Sequence, residues 1–293
     1  MLVGSAVGDA LGATVEFMSR ADIRARYGVH REITGGGWLN LPAGEVTDDT
    51  QMARCLARSL VVLGRFDGDD VANRFVEWYR SNPPDIGNTT IHALQQLAAG
   101  VPWTDAGQHT HEARHPRDAS NGSLMRAAPV ALFARTNAEL NATLSADQSR
   151  ITHASPLCID ACIALNAAIA ALLDDPTSDA HATAMSASRD ESVHSSLKAV
   201  PEHSDATLDA GGYVLATLQS SFWALTRHAA FEEAVVAAVN LGDDADTTGA
   251  VAGALAGARW GYAAIPQRWR NTLIGHDELV ELADGLLLRS LAQ

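Results

Sequence analysis

Apolar positions recur every three or four residues through most of this chain, the spacing that turns one stripe of an α-helix toward a core. Residues 52–63 set Met52, Leu56, Leu60 and Leu63 on one stripe and turn Arg54, Arg58 and Ser59 away. The same spacing predicts helices over residues 71–79, 91–98, 156–173, 213–224 and 230–239. Gly249, Ala250, Gly253, Ala254, Ala256 and Gly257 describe a thin helix that neighbours can approach closely, which places it near the centre. Gly4, Gly8 and Gly12, four residues apart, suggest another close-packed helix face rather than a phosphate loop. Strand alternation, βαβ order and internal repeats are not evident. Two polar stretches, 103–119 and 174–210, read as connections, with a helix expected within 185–197. Neither separates pieces large enough to fold alone, so the expected fold class is all-α, a single compact multi-helix domain over residues 1–293.

A chain of this length buries a large core without disulfides or a structural metal. Its 35 acidic side chains against 21 Lys and Arg, a net charge of -14, argue against nucleic-acid binding and anionic membrane surfaces. Residues 161–173 form an Ala-rich apolar stretch too short to span a bilayer, and no membrane insertion is expected. The N-terminus has no basic flank, and Asp9 interrupts its apolar stretch too early for a secretory core. Cys55, Cys158 and Cys162 suit free thiols in a reducing compartment, so a cytoplasmic protein is expected. A monomer is the separate expectation for its assembly. Cys158 and Cys162, four apart, should share a buried helix face.

Acidic residues gather in two short motifs, Thr47-Asp48-Asp49-Thr50 and Asp243-Asp244-Ala245-Asp246-Thr247-Thr248, each just before a helical pattern. Helix capping is the plain explanation, because Asp and Thr accept bonds from orphan N–H groups and suit the helix dipole. A cap needs one acceptor, however, and these motifs offer five carboxylates and four hydroxyls. If the segments meet, their acids repel one another unless cations neutralise them. Oxygen ligands of this kind suit Mg²⁺ or Mn²⁺ better than zinc, and two such ions can grip two substrate oxygens. Asp9 and Glu16 lie in an apolar segment; a surface role is the default for each, and Glu16 is the better functional candidate. His109, His111 and His115 match no strong ligand spacing and are expected to be solvated. His276-Asp277 reads as capping of a terminal helix, and the six tryptophans as mainly packing residues.

GDALGATVEF (8–17), GGGWLNLPAGEVTDDTQM (35–52), NGSLMRAAP (121–129), THAS (152–155) and GDDADTTGAVAGALAGA (242–258) together resemble the ADP-ribosylglycohydrolase family. The likeness is strongest to its bacterial dinitrogenase reductase-activating glycohydrolase branch. The resemblance implies an all-α fold with a cleft holding two divalent cations, Mg²⁺ or Mn²⁺. It implies hydrolysis of the N-glycosidic bond between ADP-ribose and a modified side chain, typically arginine on a protein. Carried over by position, the metal ligands would be Thr47, Asp48, Asp49, Asp244, Asp246 and Thr247. Asp85 and Glu16 would be the catalytic carboxylates. Asn88, Asn121, Gly122, Ser123 and His153 would bind substrate, with Tyr213 stacking on adenine. Ala245 stands where a hydroxyl residue is also common, a change that leaves the flanking aspartates in place. Another acceptor linkage (serine, a nucleobase or a small molecule) and a non-catalytic ADP-ribose binder remain as alternatives.

Overall fold

The computed structural model describes residues 1–291 and is helical throughout. In chain order the helices are α1 (Leu2–Gly12), α2 (Arg20–Tyr27), α3 (Asp48–Leu63), α4 (Gly68–Arg80), α5 (Asn88–Ala98) and α6 (Trp103–Arg114). Then come α7 (Ala128–Phe133), α8 (Ala138–Arg150), α9 (Pro156–Asp174), α10 (Ala180–Ala187) and α11 (Glu191–Ala199). The last five are α12 (Val214–Arg227), α13 (Phe231–Val239), α14 (Ala245–Trp260), α15 (Gln267–Thr272) and α16 (His276–Ser290). Among the described residues β-pairing is confined to two isolated bridges, Gly36 with Leu41 and Ser120 with Tyr213.

The glycine faces of α1 and α14 meet at the centre, as their spacing predicts. A Cβ on Gly8 would lie 1.9 Å from the Gly249 carbonyl oxygen, and one on Gly4 would lie 2.5 Å from that of Gly253. One on Gly12 would lie 2.4 Å from the Cα of Asp246. Backbones this close leave no room for a side chain, and overpacking a rigid core typically costs ~1–3 kcal/mol or more. Gly8→Ala is therefore expected to destabilise the protein by at least about 3 kcal/mol, because the clash is with backbone and cannot be relieved by a rotamer change. Denaturant titration checks this; a loss below about 1 kcal/mol would mean that the two helices can separate freely.

Around this pair the core has three parts. α9, α12 and α14 build one, with Cys158 and Cys162 on a shared buried face, each 0% exposed. α1, α13 and α15 build the second. α3, α4, α7, α8 and α16 build the third. α9 is 19 residues long and, by length and composition, apolar enough to cross a membrane, which the shorter stretch expected from the sequence was not. It lies instead in the first core, and its Asp160 carboxylate accepts the backbone N–H groups of Arg189 and Asp190.

Other expectations change for local reasons. Residues 103–119 are not all connection: α6 begins after Pro102 and packs through Ala106, Gly107 and Thr110. A Cβ on Gly107 would lie 1.9 Å from the Arg150 carbonyl oxygen, so this helix docks through small residues that carry no hydrophobic signal. The helix expected over 185–197 is split at Ser188–Asp190, where Asp160 takes the N–H groups and Asp190 caps α11 through the N–H of Ser192. On α3, Ser59 is buried and Leu63 is 38% exposed, the reverse of the single-stripe expectation. That helix touches α1, α4, α7, α14 and α16, so its buried surface is wider than one stripe.

Candidate metal and active site

Close packing of α1 on α14 brings the end of one helix to the start of the other. The chain leaving α1 is tied to the α14 entry by Phe17 N–H to Asp243 O (2.6 Å) and Asp243 N–H to Met18 O (2.9 Å). Both Phe17 (φ 60) and Asp243 (φ 52) take left-handed backbone conformations at this junction. That region is uncommon for a bulky residue such as Phe, and strain of this kind clusters at functional sites. Glu16 is thereby held beside the acids that open α14.

Asp9 delivers the third element. The sequence assigns it a surface role by default; it is 0% exposed. Its carboxylate accepts from the N–H (3.0 Å) and Oγ1 (3.0 Å) of Thr47 and from the N–H (3.1 Å) and Oγ1 (2.5 Å) of Thr50. These bonds fasten the start of α3 to α1. They satisfy orphan N–H groups of α3 that Thr47, at its N-cap, does not reach with its own side chain. Asp48 and Asp49 occupy the first turn of α3, so this helix starts four residues before the expected Met52.

Capping does not account for the acids. Neither Thr47 nor Asp244, the two N-cap residues, makes a side-chain cap bond. Thr47 Oγ1 and Thr247 Oγ1 instead point at Asp49 Oδ2, at 3.3 and 3.4 Å. Asn121 Nδ2 donates to Asp244 Oδ2 at 2.9 Å. Asp49 Oδ1, Asp246 Oδ1 and Thr248 Oγ1 are buried with no protein partner. Burial pushes the carboxyls of Asp48, Asp49 and Asp246 well above the ordinary range, and their acidic neighbours push further. The Asp9 carboxyl rises to about 6 by burial, against the pull of its four hydrogen bonds. Glu16 rises to about 8, again chiefly by burial, with Asp85, Asp244 and Asp9 adding to it.

Oxygen donors with orphaned lone pairs in a nest of mutually repelling acids fit hard divalent cations. Thr47, Asp48, Asp49, Asp244, Asp246 and Thr247 converge from two helix starts more than 190 residues apart in sequence. Asp48, Asp244, Asp246 and Thr247 line a cleft of about 380 Å³ together with Glu16, Asp85 and Asn88, whereas Thr47 and Asp49 are buried and do not reach its wall. Burial raises the Asp85 carboxyl, with Asp244 adding to it. A larger cavity of about 600 Å³ opens elsewhere, by Arg20, Trp223 and Arg227; Asp205 is the only carboxylate on its wall. The acid nest opens onto the smaller cleft.

Asn121–Ser123 form one turn of 3₁₀-helix on the cleft wall, with Asn121 N–H bonded to Gly212 O and Val214 N–H to Ala119 O. Asn121 and Gly122 face the cleft, whereas Ser123 is 0% exposed and accepts from Ser149 Oγ at 2.8 Å. His153 sits behind this turn, 1% exposed. Its Nε2 meets Ser120 Oγ at 2.9 Å and its Nδ1 meets Thr152 Oγ1 at 2.7 Å. A Cβ on Gly122 would lie 2.9 Å from the His153 ring, so glycine lets the turn rest on the imidazole. Burial, helped by Arg126 and Arg114, holds that imidazole neutral. Tyr213, 46% exposed, follows Gly212 of the cleft wall.

Four residues here escaped sequence reasoning or were assigned otherwise. Trp38, expected to be a packing residue, is 51% exposed; its indole N–H donates to Glu16 Oε2 at 2.7 Å and its ring packs on Phe17 at 5.3 Å. Arg126 is fully buried beneath the site, bonded to Gln148 and Thr152 and stacked over Phe75. Asp118, 2% exposed, takes His111 Nδ1 at 2.5 Å, with His115 Nδ1 at 3.6 Å. His111 is thus held in a side-chain pair rather than solvated. The ligand-type atoms of these three lie within 4.8 Å of one another, a grouping distinct from the acid nest. His109 meets Gln96 Oε1 at 3.1 Å, and Asp277 is exposed beside His276 without a cap bond.

An all-α domain with such an acid-lined cleft is the architecture of one class of hydrolases. The ADP-ribosylglycohydrolase family model matches residues 1–293, and the chain belongs to that family. It is 37% identical to the ADP-ribosyl-[dinitrogen reductase] glycohydrolase of Rhodospirillum rubrum, over 92% of this chain and 88% of that protein. It is 33% identical to an ADP-ribosylarginine hydrolase of Serratia proteamaculans, over 97% of this chain and 77% of that one. A solved structure described as an ADP-ribosylglycohydrolase-related protein complex superposes with a TM-score of 0.80 at 36% identity, covering 99% of this chain and 96% of that one. These relatives support ADP-ribosyl hydrolase activity.

Proposed function

We propose that this protein hydrolyses the N-glycosidic bond between ADP-ribose and a modified arginine on a protein, using two Mg²⁺ or Mn²⁺ ions. The observation that carries the reading is the meeting of two acidic helix starts with buried carboxylate oxygens left unpartnered. Thr47, Asp48, Asp49, Asp244, Asp246 and Thr247 are the side chains that would hold the ions. Bound there, the ions would polarise oxygens of the substrate ribose.

The chain's own groups account for the rest. Glu16, whose carboxyl burial and acidic neighbours push up to about 8 in the ion-free chain, is one carboxyl able to hold and release a proton. Trp38 donates to Glu16 Oε2, which leaves Oε1 as the atom able to take or give that proton. Asp85, on the wall of the same cleft, is the second carboxyl able to move a proton as the bond breaks. Surrounding carboxylates stabilise the positive charge that develops on the sugar. Asn121 and Gly122 offer the diphosphate a wall with no bulky side chain, Tyr213 stands beside it for the adenine, and Ser123 and His153 hold that wall from behind. Asn88 lies on the same wall as Asp85.

Relatives named as ADP-ribosylarginine hydrolases support arginine as the acceptor. Arginine-, serine- and nucleic-acid-linked ADP-ribose, incubated side by side with Mn²⁺ and with a chelator control, test this. Release from arginine alone, lost with chelator, is the expected result. Release from serine or nucleic acid only would overturn the acceptor assignment. Binding of ADP-ribose without any release would make the protein a binder.

A further inference from the structure

The ligand assigned to this cleft carries a diphosphate, two negative charges brought into a chain of net charge -14. The cleft walls hold Glu16, Asp48, Asp85, Asp244 and Asp246, so by themselves they repel it. Its only cationic wall residues are Arg114 and Arg117. Among the described residues neither guanidinium makes a salt bridge or a side-chain hydrogen bond, and the Arg114 Nε is buried without a partner. Many other arginines are used: Arg58, Arg74, Arg150 and Arg268 pair with carboxylates, and Arg20 and Arg289 bond backbone carbonyls. Arg24, Arg31, Arg80 and Arg189 are also without such bonds, but none of them lines this cleft; what sets Arg114 and Arg117 apart is their place on its wall. A half-buried guanidinium left unpaired beside a cleft is poised for an anion that arrives with the ligand.

Local structure aims the pair. Arg114 ends α6, and a turn closed by Arg117 N–H to Arg114 O (2.8 Å) brings Arg117 back beside it. The carboxylates nearest in sequence are engaged elsewhere: Asp118 takes His111 and His115, Glu112 accepts from Gln108, and neither pairs with Arg114 or Arg117. The Asp118 clasp also fixes the segment that continues directly into Ser120, Asn121 and Gly122 of the same wall.

We propose that Arg114 and Arg117 form an anion subsite that grips the diphosphate of ADP-ribose, in the same cleft as the acids that would hold the metal ions. This rests on the ADP-ribosyl reading above. A planar guanidinium can donate two parallel N–H groups to phosphate oxygens, and the acids elsewhere on the cleft wall then disfavour a reversed ligand.

Isothermal titration of the full chain with ADP-ribose, ADP and adenosine, in Mg²⁺, tests it on the parent protein and on the double variant Arg114→Ala/Arg117→Ala. The double variant should bind ADP-ribose and ADP at least about thirtyfold more weakly and adenosine unchanged, with its melting temperature retained. Arg114→Lys/Arg117→Lys should recover part of the loss, because charge returns without the planar fork. Equal affinity of parent and Ala variant for ADP-ribose overturns the subsite while leaving the ADP-ribosyl reading intact. No binding of ADP-ribose to the parent would sink that reading itself, and the subsite with it. Equal weakening of adenosine would show that the arginines shape the cleft rather than grip the phosphates.

Discussion

Asp246→Asn and Asp48→Asn should each lower ADP-ribose release from arginine at least about a thousandfold, roughly 4 kcal/mol of transition-state stabilisation, with the fold intact. Asparagine is the informative replacement. In the first turn of a helix it forfeits only the attraction of the charge to the dipole, about 0.3–1 kcal/mol, so if these residues only favoured the starts of α3 and α14, turnover would hold. As a ligand for a hard dication it lacks the charge, so if they hold ions, turnover collapses. Stability should move the other way. Both carboxyls are buried among other acids, which raises their pKa and makes the ionised form costly. Without metal at pH 8, the Asn variants should melt at the parent temperature or a few degrees above it. Near-parental turnover under saturating Mn²⁺ would remove both residues from the machinery. A large drop in melting temperature would mean that the lost carboxylate holds the fold, not the ligand.

Much of this was legible because some side chains have no cheaper use. Five carboxylates at two helix starts exceed what capping needs, and the structure leaves some of their oxygens unpartnered. Glycines four apart on two segments announce a close crossing, and the crossing of Gly8 on Gly249 carries the ends of α1 and α14 together. Other features do not show in periodicity. Asp9 reads as a stray surface acid until its helix proves buried on every side, so that its carboxylate must find donors, which the two threonines of the next motif supply. The signal was present, since an acid in a helix apolar all round needs a partner. Trp38 and Asp118 act through single contacts across loops, and nothing in local spacing marks either one. α6 was missed because Ala106, Gly107 and Thr110 dock it through closeness rather than bulk.

Without divalent ions the protein should lose stability as pH rises, and with them it should not. Glu16 goes from an ordinary 4.5 to about 8 in the folded chain and Asp9 from 3.8 to about 6; Asp48, Asp49 and Asp246 are also pushed up. The unfolded chain releases these protons near pH 4, so between about pH 4 and pH 8 the native state holds more of them. Stability therefore falls with rising pH across that window. Buried His153 and the lowered His30 and His228 act oppositely, since the unfolded chain binds more protons there near pH 6.5. Subtracting the profile of the Asp48→Asn/Asp246→Asn double variant isolates the two carboxyls it removes and their mutual push with Glu16 and Asp49, while the burial of Glu16 and Asp9 cancels. In chelator the parent's melting temperature, relative to that variant, should drop by about 10 °C from pH 5 to pH 8.5. About 1 mM Mn²⁺ should restore most of the loss at pH 8.5 and little at pH 5, because protons and ions compete for the same oxygens. A flat difference profile, or an ion effect larger at pH 5 than at pH 8.5, would show that these carboxyls do not share a cation-binding nest.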